Sequence, residues 1–500
     1  MSTIIHARYT MIDGVAQKDT AVYVDESKIV AIDSVDKLTA LYPNAEVVGG
    51  DTYILSPSFT NAHDHGRALG TTSLGIPDSF LEVWLSQLGN VPHIPPYLAA
   101  VYEGLQLLKS GVTAVAHSHN PKTWQGMPDE IPESIRGYQD VGVRVAMHPP
   151  IIDQNTLIYI KRDQFIASLP SEIQKTIPIT DGIDLTTDDY FDMLNALYET
   201  YHDTEQHRVH IQVSPAGGQW CSDNLIMRAV EWAKSRQTCV QMHMLETQYQ
   251  RLYAHEKWGT SFIRHLDNIG ALGDWLTLAH MVWVEDDDLD LLAERGVHVA
   301  HNISSNLRLR SGIAPIAQML ASSVNVGIGL DGHTLSDNQD YLHEMRLAWT
   351  MANQHSMDSG DVSASTIWQM GTHNATKMTF GHNAPLGKIQ IGMLADLVLL
   401  DWQAIKGAWS PDDFPPSEFI PDFLLRRANH HHVRDVMVHG EWMIKAGKHQ
   451  HIDEDAIASE LKETLTQQVG DTSASLAPYI RKFYKDWSQS LPDNLSDLKR

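Results

Sequence analysis

Apolar positions along this chain follow two distinct patterns. Between about 58 and 379, short β-branched runs alternate with longer amphipathic segments. The runs are "SFTNAHDH", "GVTAVAHSH", "GVRVAMHPP", "VHIQVSP", "CVQMHMLE", "WLTLAHMVW", "HVAHNISS" and "VNVGIGLDG". The intervening segments, such as "PPYLAAVYEGLQLLKS", "SDNLIMRAVEWAKSRQ" and "EDDDLDLLAERG", read as helices. Strand then helix, repeated, predicts parallel strands joined by crossover helices. Eight such units predict a TIM-like (β/α)8 barrel rather than an open doubly wound sheet, which would have fewer repeats.

The second pattern lies outside that region. Residues 1–57 read as short strands and turns in "IIHARYTMI", "TAVYVDESKIVAI" and "AEVVGG". The same style returns over 380–451 in "APLGKIQIGMLADLVLLD" and "VRDVMVHGEWMIKAGK". The expected organisation is a small composite β-sandwich domain built from 1–57 plus 380–451. The barrel, 58–379, is inserted between its halves, and 452–500 forms a C-terminal helical tail.

Composition narrows the function class. The chain has 500 residues, 43% hydrophobic and 20% charged, which is ample for a large core. A net charge of −25 argues against nucleic acid or an anionic membrane as partner, since both need clustered Lys and Arg. Cys221 and Cys239 are the only cysteines and form no disulfide framework. The N-terminus "MSTIIHARYT" lacks the pattern of a signal peptide, and no apolar run reaches the length of a membrane span. These features predict a soluble cytoplasmic protein acting on a small molecule.

Twenty-seven histidines give several His-x-His triplets: His63/His65, His117/His119, His430/His432 and His449/His451. Chance alone accounts for roughly one or two. What distinguishes His63/His65 is position. Residues two apart on a strand share a face, and this pair ends the first strand. The fifth strand ends in His243 with Glu246 just beyond, the sixth in His280, and the eighth in Asp331. Barrel active sites lie at the C-terminal strand ends, and ionisable groups on such apolar runs are costly to bury without partners. In a closed barrel the first and last strands are neighbours. His63, His65, His243 and Asp331 can therefore converge as three nitrogens and one carboxylate, a set that suits one divalent ion, Zn²⁺ or Fe²⁺, with a position left for water. Glu246 cannot share the strand face of His243 and must sit where the chain turns over the site, placed to shuttle a proton. His280 can orient hydroxide or polarise a substrate.

These segments resemble the amidohydrolase superfamily, in the branch of cytosine-, guanine- and adenosine-type deaminases and s-triazine hydrolases. "ILSPSFTNAHDH" resembles its "PGFVNxHxH", and "MHMLET" its metal-His and catalytic-Glu motif. "LTLAHMVWV", "VHVAHNISSNLRLRSGIAP", "GIGLDG" and "GKIQIGMLADLVLLD" are similar to its later segments. The resemblance implies His63, His65, His243 and Asp331 as metal ligands. It implies Glu246 and His280 as the acid/base pair, with Asp331 also abstracting the water's proton. No carboxylatable lysine stands on strand four, and Lys234 falls in the following helix, so one metal per chain is implied. A homodimer is implied too, consistent with the prevalence of symmetric homo-oligomers. Arg67, Trp84, His117, His119, Gln219 and His301 are candidate substrate contacts. Two segments depart from the branch pattern: "GRALGTTSLGIPDSFLEVWL" and "SPAGGQWCS", the latter standing where adenosine-type members carry a His. That second departure argues against adenosine-like substrates. The reading is a deaminase releasing ammonia from an N-heterocycle. The alternative is hydrolysis of another C–N bond, or C–Cl, at the same site. Retention of the whole ligand set with Glu246 argues against a non-catalytic scaffold.

"GIGLDG" also fits G-x-G-x-x-G, but a dinucleotide site needs an acidic residue about twenty positions on, where Ala352 stands. His430–His432 in "RANHHHVRD" is expected to be a solvated loop, since adjacent strand residues face opposite ways. Two isolated cysteines exclude the H-x-E/P-C-x-x-C type of deaminase.

Overall fold

A computed structural model describes residues 2–354, 362–411, 414–467 and 475–491. The eight expected β/α strands are present: β1 (Phe59–Asp64), β2 (Val112–Ser118), β3 (Arg144–His148), β4 (Val209–Ile211), β5 (Val240–Met244), β6 (Leu276–His280), β7 (His298–His301) and β8 (Asn325–Ile328). They form two four-stranded parallel sheets, β1-β2-β3-β4 and β5-β6-β7-β8. Between the sheets the ladder is thin. Two isolated parallel bridges, Val213–Val240 and Gly217–His243, join the β4 end to β5. On the other side the Asp331 N–H donates to His63 O at 2.9 Å, and the Leu330 N–H to Asn61 Oδ1 at 2.9 Å.

Helices lie where the amphipathic segments predict them. Pro96–Lys109 begins with proline, whose missing N–H costs nothing in a first turn. Met127–Val141 stops at Gly142, which takes the left-handed φ of 89°. Asp286–Arg295 carries three aspartates in its first turn and Arg295 in its last, complementing the helix dipole. Their apolar faces and the strands share one large core. "GIGLDG" is the end of β8 followed by a turn; the next helix starts only at Tyr341.

The two chain ends meet in one nine-stranded sheet. Glu46–Pro57 is its junction: it pairs in parallel with Thr3–Ile12 and antiparallel with Leu397–Asp401. Alternation then divides the side chains. Ile54 and Val398 join the large core, while Leu55 and Leu399 belong to a second core with Ile5, Val22 and Met437. The tail forms helices Glu454–Thr466 and Ala477–Ser490. Among the described residues, no helix is long and apolar enough to cross a membrane. His430–His432 forms a 3₁₀ turn rather than an open loop, with His430 paired to Asp340 at 2.9 Å.

Candidate functional site

The polar strand ends converge. His63 Nε2 lies 3.3 Å and His65 Nε2 3.2 Å from Asp331 Oδ1, and His243 Nε2 lies 3.2 Å from His65 Nε2. The facing atoms of His63, His243, His280 and Asp331 lie within 4.8 Å of one another. His65 Nε2 adjoins this group through Asp331 and His243.

Each imidazole is aimed by its far nitrogen. His63 Nδ1 meets Gln241 Oε1 at 2.7 Å, His65 Nδ1 meets Ser118 O at 2.9 Å, and His243 Nδ1 meets Ala216 O at 2.5 Å. All three partners only accept, so the far nitrogen carries the proton and each Nε2 presents a lone pair inward. His63 Nε2 is buried without a hydrogen-bond partner, as is His280 Nε2. Unpaired inward lone pairs beside a carboxylate make a donor set fitted to a divalent cation. Burial, followed by the Arg67 charge, pushes His65 down to about 3. Burial and the neighbouring imidazoles depress His243 as well, so both are neutral near pH 7, as ligation requires.

The backbone supports this aim. Asp64, between the two histidines, accepts the His65 N–H at 2.7 Å and the Gly66 N–H at 3.0 Å, which sharpens the turn. A Cβ on Gly66 would meet His117 Cε1 at 2.1 Å, which explains the glycine in "HDHGR". His280 and Asp331 sit at φ 79° and 59°, strained values for non-glycine residues that cluster at functional sites.

Glu246 lies beyond His243, with Oε2 3.7 Å from His280 Nε2. It is buried, and burial with the nearby Asp331 and Glu82 carboxyls raises its pKa well above the usual range. His280 is held by Asn306 Oδ1 at 2.9 Å, and burial pushes it down to about 4. A buried acid beside a neutral imidazole and a cation site is an arrangement able to move protons to and from a bound molecule.

These groups open onto a cavity of about 580 Å³. Arg67, Trp84, His117 and His119 line it. The Arg67 guanidinium lies 5.0 Å over the Trp84 ring and donates to Asp331 O at 2.9 Å. His117 faces His119 at 3.4 Å, and His119 pairs with Glu130 at 3.1 Å. Gln219 and His301, expected as substrate contacts, are fully buried off the cavity wall. Trp220, not Gln219, lines the cavity, and His301 is buried at the end of β7.

Sequence reasoning missed the residues that aim the imidazoles. Gln241 had a signal, standing two positions before His243 on β5. Asn306 stood in "NISSN". Ser118 and Ala216 act through backbone carbonyls, which no residue type announces. Gln241 also donates to Ala62 O at 3.0 Å, so its orientation is fixed. Gln241→Leu is expected to weaken metal affinity about 10- to 100-fold, measured by competition with a chromogenic chelator. Unchanged affinity would remove Gln241 from the support of His63.

The family model described as "Amidohydrolase family" matches residues 54–443, most of the chain. The protein belongs to the amidohydrolase family. Among curated relatives, this amidohydrolase is 27% identical over 451 residues to a 5-methylthioadenosine/S-adenosylhomocysteine deaminase of Thermodesulfovibrio yellowstonii, covering 87% of this chain and 91% of that one. It is 30% identical over 267 residues to a 5'-deoxyadenosine deaminase of Methanosarcina barkeri, covering 53% of this chain and 60% of that one. Among solved structures, a zinc-bound adenosine deaminase of Xanthomonas campestris superposes with TM-score 0.77 at 24% identity, over 93% of this amidohydrolase and 98% of that chain. An atrazine chlorohydrolase variant of Arthrobacter aurescens, complexed with zinc and atraton, matches with TM-score 0.77 at 19% identity, over 93% and 100%.

Proposed function

We propose that this amidohydrolase is a hydrolytic deaminase that replaces the amino group of an N-heterocycle by oxygen and releases ammonia. The observation that carries this reading is the buried Glu246 carboxyl beside His280, set against three inward imidazoles and Asp331. His63, His65, His243 and Asp331 would hold one divalent ion, Zn²⁺ before Fe²⁺, given the three-nitrogen, one-carboxylate set. When bound, that ion supplies Lewis-acid activation of water at neutral pH. Asp331 accepts a proton from water. Glu246 donates its carboxyl proton to the ring nitrogen; as the carboxylate it then takes the proton of the newly attached hydroxyl and passes it to the departing amine, and the proton held by Asp331 returns to Glu246. The C–O bond forms, the C–N bond breaks, and ammonia leaves. His280, neutral and fixed by Asn306, polarises the water. Arg67 closes the floor by tethering the Asp331 carbonyl.

The names of the two relatives and the zinc of the neighbours support this reading, although "SPAGGQWCS" sets the pocket apart from that of adenosine-type members. The same cluster could hydrolyse a different C–N bond, or C–Cl; the triazine hydrolase likeness favours keeping that second reading. We place the cluster at the mouth of a closed (β/α)8 barrel, 58–379, completed by the β4/β5 bridges and the Asp331–His63 bond. The nine-stranded sheet is read as a composite sandwich domain from 1–57 and 380–451, with 452–500 as its tail.

The test is ammonia release from metal-loaded protein across deoxyadenosine-type nucleosides, aminopurines, aminopyrimidines, pterins and aminotriazines. Ammonia from one class establishes the deaminase. Turnover of a chlorotriazine or guanidino compound without ammonia supports the second reading instead.

A further inference from the structure

Glu82 has no part in the proton transfers above, yet its carboxyl is almost fully buried, between the cavity wall and the C-terminal helix Ala477–Ser490. Oε1 accepts from the Thr247 hydroxyl at 2.5 Å and from the Tyr159 phenol at 3.1 Å. Thr247 follows Glu246 directly and is the N-cap of helix Gln248–Trp258. A threonine there ordinarily turns its hydroxyl onto a first-turn N–H, which stabilises a helix by about 1 kcal/mol. Thr247 makes no such bond. Its hydroxyl is committed to Glu82 instead.

The turn so anchored is the one that carries Glu246. Leu245 adopts a left-handed φ of 50°, and the Glu246 N–H donates to Gln250 Oε1 at 2.9 Å. Glu82 itself sits in helix Leu81–Leu85, which also presents Trp84 to the cavity. That segment is strapped from outside. Arg481 donates to Ser79 at 2.8 Å and lies 5.0 Å over Phe80, and the Tyr159 N–H donates to the Tyr484 hydroxyl at 3.2 Å.

We propose that Glu82 is a positioning residue: through Thr247 it fixes the turn that aims the Glu246 carboxyl, while the C-terminal helix holds Glu82's own segment in place. This rests on the reading of Glu246 as the proton-transferring carboxyl. The anchor needs an acceptor oxygen rather than a charge. Burial pushes Glu82 up to about 7, and the neutral acid still accepts through its carbonyl oxygen.

The test compares Glu82→Gln, Glu82→Leu and Thr247→Val in metal-loaded full-length protein. Glu82→Gln keeps an acceptor and is expected to retain kcat within about threefold. Glu82→Leu and Thr247→Val each lower kcat about 100-fold with KM little changed, since displacement of a proton-transfer group by an ångström costs on that order. The double variant is no worse than either single one, because both cut the same contact. Hydrogen exchange of amides 244–250 accelerates in Glu82→Leu and Thr247→Val but not in Glu82→Gln. Thr247→Val is nearly isosteric and guards against misfolding of the leucine variant. Retained kcat in Thr247→Val, additive losses, or unchanged exchange overturns the proposal. If wild-type protein deaminates nothing, the functional reading has failed, and the exchange measurement still decides the anchor.

Discussion

Replacing Glu246 by Gln is expected to lower kcat about 1000-fold while leaving metal content at the wild-type level. Glutamine keeps the size and the hydrogen-bonding oxygen but cannot carry a proton. Loss of general acid–base transfer costs about 10²- to 10⁴-fold, so 1000-fold is near 4 kcal/mol of transition-state stabilisation. The prediction has force because burial and the nearby Asp331 and Glu82 raise the Glu246 carboxyl well above its ordinary value, which favours the protonated acid that a proton donor needs. Glu246 lies 3.7 Å from His280 and is not one of the convergent donors. Metal affinity therefore separates the two roles. A Glu246→Gln protein with full metal and wild-type turnover would contradict the assignment; loss of metal would mean the residue belongs to the cation site.

The largest effect on stability is expected from Asp396→Ala. Asp396 is buried at the start of strand Leu397–Asp401, in the sheet made from both chain ends. It receives Arg144 at 2.6 and 2.9 Å, the His439 N–H at 2.8 Å and the Thr113 hydroxyl at 3.3 Å. Arg144 is the first residue of β3 and is fully buried. The pair thus joins the sheet to the opposite end of the strands from the site, where contacts serve stability rather than chemistry. Removing the carboxylate leaves a buried guanidinium unpaired, which costs about 3–5 kcal/mol. A urea titration should show a lower midpoint, with turnover per folded molecule retained. An apolar double replacement, Arg144→Met with Asp396→Leu, should cost less than Asp396→Ala alone. Burial would raise Asp396, but Arg144 outweighs it and lowers its pKa, so the native state releases this proton more readily than the unfolded chain. The pair's contribution is present above the ordinary aspartate value and is lost as pH falls through the lowered one, a loss that Asp396→Ala cannot show. An Asp396→Ala midpoint equal to wild type would sink this account of the pair.

How legible the site was depended on what each residue had to announce. His63, His65, His243, His280 and Asp331 stood out because each falls at or just past the end of an apolar run, where an ionisable side chain is costly to bury without a partner. Glu246 followed from its offset of three from His243, which puts it off the strand face. The supports were harder to read. Ser118 and Ala216 contribute only carbonyls, and Glu82 in "FLEVWL" looks like the polar face of a helix, since its partner Thr247 lies 165 positions away. Gln219 and His301, candidate substrate contacts in the sequence, are buried away from the cavity lining. Which side chains reach the cavity is set by tertiary packing, without local signature. For the fold, alternation predicted the eight strands. Pairing across the chain, such as Glu46–Pro57 with Leu397–Asp401, is non-local and cannot be read from periodicity.

The measurement that tests the central claim most directly is ammonia release by chelator-stripped protein titrated with Zn²⁺, on the best substrate of the panel. The account predicts no release without metal and a linear rise that levels at one equivalent per chain, abolished in His243→Ala. Full ammonia release from metal-free protein, or a plateau only at two equivalents, would contradict a single-metal deaminase built on His63, His65, His243 and Asp331.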